Sequence, residues 1–467
     1  MHLSGSYQWG RDAGVRLTLK SQSAHCHHSI DRRKGTKELS TDGPLGADGP
    51  ADKQYGARSG AVQIIIATAI AGVAGYLVTF IVFRAVGAAE YATFAVYWAT
   101  LYLAVGSLSG VQQEITRATR RRAPGSSTVR NRALRFAVVV AVGTFVLILS
   151  TSPLWSPAAF PSQSSSLAVP LAVGASSYVL VATLSGSLYG LSQWRSLAML
   201  VATDALLRLA LVGIVLIFTR NLALLAWMVA IPFPLTIVVL WRSIRGGLVG
   251  QSELDVRYGA LTWNVARTVI ASASTSILVS GFPLILGVAG RNEPAPFLGQ
   301  FIFALTLTRA PLIVTVMSLQ SFFIVRFRDA PEIMWKTFAR ACLIVLGGGL
   351  ALAIAGLFLG PWALAVVSGE RALIAGPVLA VLVASSALVA WLSISGSAVL
   401  SRGGHFVYSA GWVGAAVATI LAILLPLPFL ERAEIAMVVG PSFGLVIHLT
   451  WLAVSRHGSK TALRTTG

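Results

Sequence analysis

Charge is almost missing from residues 61–455, and that absence constrains this chain more than anything the segment contains. The segment divides into twelve apolar stretches, at 61–83, 91–111, 136–154, 167–190, 197–219, 221–241, 260–289, 297–323, 341–359, 373–400, 408–429 and 435–455. A helix rises about 1.5 Å per residue, so roughly 20 residues reach across a hydrocarbon layer about 30 Å thick. Of 36 Lys and Arg residues, only Arg208, Arg267 and Arg309 lie inside the stretches, and Asp204 is the one acid well inside. Charge at that depth is costly and normally faces a protein interior or a water-filled path. The expectation is an all-α polytopic membrane protein, with its working parts marked by those few charges.

The 55% hydrophobic and 11% charged content and a mean hydropathy of +0.75 exclude an ordinary soluble domain. A net charge of +19 would suit a nucleic-acid binder if it formed a patch, but its distribution follows the apolar stretches instead. With the N-terminus placed in the cytoplasm, the inner loops and C-terminal tail carry 19 Lys and Arg, and the outer loops carry five. This is the positive-inside bias, so both termini are expected in the cytoplasm and no nucleic acid is expected as a partner. Cys26 and Cys342 fall in a tail and near the inner end of a stretch, which argues against a structural disulfide. No cleavable signal peptide is visible, because the first apolar run begins only near residue 61. Residues 1–60 are polar and without hydrophobic period, and read as a disordered cytoplasmic tail. His25, Cys26, His27 and His28 within it lack a second ligand pair, so no metal site is expected.

A shift of about 207–210 residues brings the two halves of the apolar region into register. Ser185-Gly186-Ser187 then falls on Ser395-Gly396-Ser397, Phe94 on Phe301 and Gln113 on Gln320. The shift spans six stretches, an even number, so the halves share one orientation, as in transporters built from parallel repeats. The expected organisation is a tail over 1–60, an N-terminal six-helix lobe over 61–241, a cytoplasmic linker over 242–258, a C-terminal lobe over 259–455 and a tail over 456–467.

Motifs for chemistry are absent. There is no G-x-x-x-x-G-K-[ST] loop, and Gly347-Gly348-Gly349 sits inside a stretch with no following Lys. His405 and His448 are isolated in the sequence, and the outer segment 151–166 carries no charge. These features point to transport, with no catalytic residues and no cofactor.

The segment after the first stretch reads Arg84-Ala85-Val86-Gly87-Ala88-Ala89-Glu90-Tyr91-Ala92-Thr93-Phe94, and the second closes on Gly110-Val111-Gln112-Gln113-Glu114-Ile115-Thr116-Arg117. Here the chain resembles the polysaccharide exporters, the Wzx-like lipid-linked oligosaccharide flippases of the superfamily that also holds the multidrug and toxin extrusion transporters. Arg84, Gly87, Glu90, Tyr91 and Phe94 follow an Arg-x-x-Gly-Pro-x-x-Tyr-Gly-like corner common in that family. Ala88 and Ala92 stand where Pro and Gly are usual. The resemblance covers residues 61–455. It implies inward- and outward-open states that move an undecaprenyl-type lipid-linked saccharide across a bacterial inner membrane without ATP. It also implies cavity arginines that hold the lipid pyrophosphate, and polysaccharide assembly enzymes as partners. Two alternatives stand beside it, a cation-coupled multidrug-type exporter and a membrane polysaccharide polymerase or ligase.

The intramembrane charges carry the site expectation. Arg309 has no acid three or four residues away, so it must meet another helix, water or an anionic ligand. A guanidinium suits phosphate because it donates hydrogen bonds in a planar fork. Arg267, Arg208 and Arg84 join it as candidate substrate-binding residues. Asp204 and Arg208, four apart on one face, form a neutralising pair or a coupling site. Glu114 and Arg117 form a surface pair or a gate. Trp98, Tyr97, Tyr102 and Trp263 either pack or stack on sugar rings.

Overall fold

The computed structural model describes residues 50–121, 132–161, 163–248, 251–254, 256–329 and 333–465. The His25–His28 cluster and most of the tail lie outside them. Helix α1, Pro50–Ala118, holds the first two apolar stretches in one element bent at Gly87, whose φ of 78° is left-handed. Along a straight helix, residues eight apart would be separated by about 12 Å. The rings of Phe83 and Tyr91 instead touch, with centroids 4.9 Å apart, so the chain reverses at this corner. Only glycine adopts that φ without cost, which explains the Gly of the corner motif. Helix α1 also starts inside the segment expected to be a disordered tail, so residues 50–60 are helical.

The remaining helices are α2 Arg132–Ala159, α3 Ser164–Gly190, α4 Trp194–Phe218, α5 Leu222–Ala230, α6 Pro232–Leu248, α7 Tyr258–Val279 and α8 Phe282–Ala289. They continue with α9 Ala295–Ser318, α10 Gln320–Asp329, α11 Met334–Ser368, α12 Gly376–Ser401, α13 His405–Ile423 and α14 Phe429–Thr465. Among the described residues, nine helices are long and apolar enough to cross a membrane, or ten with the α7–α8 pair, which bends by 62°. The second arm of α1 and the α9–α10 pair complete the twelve stretches marked by hydropathy. The protein is an all-α polytopic membrane protein. A single two-stranded ribbon is described, pairing β1 Thr119–Arg121 antiparallel with β2 Ser252–Leu254.

Two of the breaks fall at prolines. Pro232 follows the interruption at Ile231 between α5 and α6, and Pro283 follows the Ser280-Gly281 step between α7 and α8. Pro153 and Pro157 do not end α2, which runs to Ala159 and absorbs much of the segment expected as an outer loop. Similarly, α6 extends to Leu248, into the expected linker.

Helices α3 and α12 are the most buried of the candidate spans. Of their apolar windows, 67% and 72% are buried, against 44% or less for the other spans. Both carry the repeated Ser-Gly-Ser triplet, and every residue of each triplet is buried. Small residues let a central helix be approached closely on all sides. Helix α3 packs on α2, α5 and α6, while α12 packs on α9, α10, α11 and α14.

Two seams tie α1 to later helices. At one end Phe83 stacks on Phe303, with centroids 4.0 Å apart, and Tyr91 meets the same ring edge-on. There the Ala88 N–H donates to Glu370 Oε1 at 3.2 Å, and Gly299 lies against the Ala88 carbonyl. At the other end the second arm of α1 runs beside α7. Thr268 donates to the Gly110 carbonyl at 2.9 Å, Asn264 to Glu114 Oε1 at 2.8 Å and Gln113 to Ser272 Oγ at 3.2 Å.

Candidate functional site

Between the seams lies a cavity of about 210 Å³, walled by both arms of α1, the α7–α8 break and α9. The second arm of α1 gives it an aromatic stripe. Tyr91, Phe94, Trp98 and Tyr102 are spaced by three and four residues, so they share one helical face, and all four line the cavity. Trp98 and Tyr102 stack with centroids 4.8 Å apart. The break after α7 brings Ser280 to the wall, and α9 brings Thr306 and Arg309. The Thr306 hydroxyl is already committed to the Ile302 carbonyl at 2.8 Å.

Arg309 sets the electrostatics. It is only 7% exposed, and its Nε and Nη1 have no hydrogen-bond partner. Its guanidinium sits 5.2 Å from the centroid of the Phe282 ring, a contact that offsets part of the cost of burying the charge. Among the described residues, no carboxylate lines the cavity. A buried cation with free donors and no counter-charge is expensive, and an anionic group entering the cavity would relieve that cost.

The other candidate residues are placed elsewhere. Arg208 is buried behind the cavity wall. Its Nη2 donates to Asp204 at 2.9 Å, its Nε donates to the Val229 carbonyl at 3.2 Å, and it lies over the Phe233 ring at 4.8 Å. Tyr102 separates it from the cavity, with its ring centroid 5.7 Å from the guanidinium. This geometry is that of a structural pair. It also decides what a charge exchange should do. Placing Asp at 208 would aim a carboxylate at the Val229 carbonyl and the Phe233 face. The double change Asp204→Arg with Arg208→Asp is therefore expected to leave the protein as unstable as either single change. The single changes should each cost about 3–5 kcal/mol, as expected for a broken buried pair. Recovery of the wild-type melting temperature in the double variant would refute this.

Arg267 is exposed on α7 and does not reach the cavity. Arg84 is also exposed and packs against Gly369, whose φ is 73°, beside the Glu370 seam. Glu114 is 4% exposed and pairs with Arg117 at 3.8 Å, while the Asn264 bond commits it to the far seam. Tyr97 is buried and donates to the Ala226 carbonyl at 3.0 Å, and Trp263 faces outward. Of the aromatic candidates, only Trp98 and Tyr102 line the cavity. Ser280 and Thr306 were not anticipated. The Gly281-x-Pro283 step inside a long apolar stretch was the available signal for the first.

No family model matches the chain. The uncharacterized protein Rv1510 of Mycobacterium tuberculosis is 32% identical over 399 residues, covering 85% of this chain and 92% of that protein. The chain belongs to its family. The uncharacterized protein Rv3630 of the same organism is 30% identical over 417 residues, covering 88% and 96% of the two chains.

Solved structures place the family's fold. An inward-facing multidrug-resistance MATE transporter of the MOP superfamily superposes with a TM-score of 0.59 at 15% identity, covering 85% of this chain and 95% of that one. The MATE multidrug transporter DinF-BH gives 0.58 at 14% identity, covering 90% and 99%. A MOP-superfamily transporter from Pyrococcus furiosus, described as having a binding pocket of reversed polarity, gives 0.55 at 14%, covering 85% and 95%. The chain shares the fold of these transporters.

Proposed function

We propose that this protein is a flippase of the bacterial inner membrane that moves an undecaprenyl-type lipid-linked saccharide for cell-envelope or polysaccharide synthesis. One observation carries the reading: among the described residues, the cavity is lined by one buried arginine with unsatisfied donors and by no acid. A pyrophosphate supplies the acceptors that Arg309 lacks, and the Trp98–Tyr102 stack offers faces on which sugar rings rest. The same observation weighs against a cationic cargo, which would meet like charge with no carboxylate to receive it. A MOP fold suits export equally well, so cavity charge is the discriminating feature.

In this reading residues 61–241 and 259–455 are lobes that rock about the cavity, and residues 242–258 link them on the cytoplasmic side. Both termini are cytoplasmic, and the Glu370 seam faces outward. The cargo and the bilayer are the primary partners, with polysaccharide assembly enzymes acting before and after the step. The test uses vesicles reconstituted with the full chain. Movement of a fluorescent lipid-pyrophosphate saccharide across the bilayer is expected, without movement of a cationic dye. Dye transport with a stationary saccharide would replace this reading with the multidrug-type exporter.

A further inference from the structure

The repeated Ser-Gly-Ser triplet of the second half surrounds a side chain that the cargo cavity does not use. His448 of α14 is 0% exposed. Its Nδ1 faces Ser395 Oγ of α12 at 2.9 Å, and its Nε2 faces the Tyr408 carbonyl of α13 at 3.2 Å. The imidazole and the Tyr408 ring are nearly parallel, at 9°. Gly411 lies against Nε2 and Gly396 against the ring edge, so a methyl group at Gly411 would strike the imidazole. Gly411 thus makes room for the imidazole, and Gly396 for the Tyr408 ring beside it.

The hydrogen-bond pattern is the informative part. A carbonyl only accepts, so Nε2 carries a proton. Ser395 has one hydroxyl proton and two available acceptors, the Leu392 carbonyl at 2.8 Å and the Nδ1 lone pair. If the hydroxyl turns to Nδ1, the ring is neutral and both nitrogens are satisfied. If it turns to Leu392, its lone pairs face an Nδ1–H, and the doubly protonated ring is equally satisfied. The cluster therefore accommodates either state by rotating one hydroxyl. The other groups that face the ring are the carbonyls of Leu392 and Val407 and the phenol-bearing Tyr408, the one further titratable group against it. Among the described residues on α12, α13 and α14, no carboxylate or guanidinium reaches it. Arg402, at the end of α12, bonds Ser455 instead.

We propose that His448, with Ser395 and the Tyr408 carbonyl, is a proton-binding site in the second half of the protein. The step is a single proton transfer. A proton from water binds the Nδ1 lone pair, the Ser395 hydroxyl moves from Nδ1 to Leu392, and no other bond changes. The site touches the helix pair that carries Arg309. The Tyr408 hydroxyl accepts from Gln320 Nε2 at 3.4 Å, and Gln320 opens α10 directly after the Leu319 break from α9. A change of charge at His448 thus bears on the joint between the cavity helix and its continuation. That the proton drives transport rests on the flippase reading, whereas the binding of the proton does not.

The experiment is nitrogen NMR on the full chain in lipid nanodiscs with isotope-labelled histidine. His448→Gln identifies the signal among the seven histidines. Between about pH 5 and pH 9, where histidine changes charge, the His448 signal should pass from one neutral Nε2–H tautomer to the doubly protonated ring. Ser395→Ala removes the oxygen facing Nδ1 and should leave the ring neutral throughout that range. A wild-type ring that stays in one neutral tautomer at every pH overturns the proposal. A second arm imposes a proton gradient on vesicles containing the lipid-pyrophosphate saccharide, and gradient-driven movement should fall at least about tenfold in His448→Gln. A titrating His448 in vesicles that move no saccharide would uphold the proton site and refute the cargo.

Discussion

Arg309→Ala is expected to abolish saccharide flipping while the protein inserts and folds normally. The two halves of this expectation come from the same geometry. The Arg309 guanidinium is buried with two nitrogens, Nε and Nη1, lacking hydrogen-bond partners and with no acid beside it among the described residues, so its removal breaks no pair and relieves a desolvated charge. Stability should therefore hold or rise, the opposite of Arg208→Ala, which strands Asp204. Hydrogen bonds to a charged group contribute about 1.5–3 kcal/mol each. Losing two such bonds to a pyrophosphate corresponds to a drop of about a hundredfold or more in apparent affinity. Arg309→Lys keeps the charge but presents it at a point, so partial rescue is expected. The measurement pairs thermal denaturation with flipping in the same vesicles. A well-inserted Arg309→Ala protein that flips normally would remove this residue from the cargo site. An Arg309→Ala protein that fails to fold would show a counter-charge role that the geometry denies.

Much of the fold was legible because hydropathy is a one-dimensional signal and membrane spanning is a one-dimensional constraint. The twelve stretches and the paired Ser-Gly-Ser helices follow from patterns along the chain, and the corner at Gly87 follows from the family resemblance. What the sequence does not encode locally is which way a residue faces across the bundle. Arg309 and Arg267 have similar credentials as lone charges in apolar stretches, yet one lines the cavity and the other faces outward. The depth of both was readable, but their azimuth depends on packing around α7 and α9. Arg84, a residue of the corner motif and a substrate-binding candidate, packs against Gly369 beside the Glu370 seam. Arg208 shows a further limit. Its Asp204 partner is visible at four residues, but the Val229 carbonyl that fixes its orientation comes from another helix. His448 looked isolated for the same reason, since Ser395 and Tyr408 lie 53 and 40 residues away in sequence. Polarity is a poor guide to where these helices end. Residues 50–60 and 151–159 are helical despite their composition, because helices of membrane proteins continue beyond the hydrocarbon layer where backbone bonding still favours them.

Single substitutions at Gly299 and Gly110 are expected to trap the protein in opposite states. Each glycine lets backbone meet backbone across one seam. A side chain at Gly299 would overlap the Ala88 carbonyl at the Glu370 end. One at Gly110 would overlap the Thr268–Val269 peptide at the Glu114 end. In both places the obstacle is main chain, which cannot swing aside as a flexible side chain would, so the seam must part. Overpacking of this kind costs about 1–3 kcal/mol, enough to shift a two-state balance by about tenfold or more. Gly299→Val should therefore open the cavity at the Glu370 end, and Gly110→Val should open it at the Glu114 end. Transport should be lost in both, because alternating access needs each seam to close in turn. The direction is read from Ser280→Cys, placed in the cavity wall, with an impermeant thiol reagent added to one side of sealed vesicles at a time. Gly299→Val should speed labelling from one side and Gly110→Val from the other, each by about tenfold. Faster labelling from the same side in both variants would mean that the two contacts are not opposing gates. Unchanged labelling in both would mean that the halves do not separate along these seams, and the cavity would then need another route to the membrane surface.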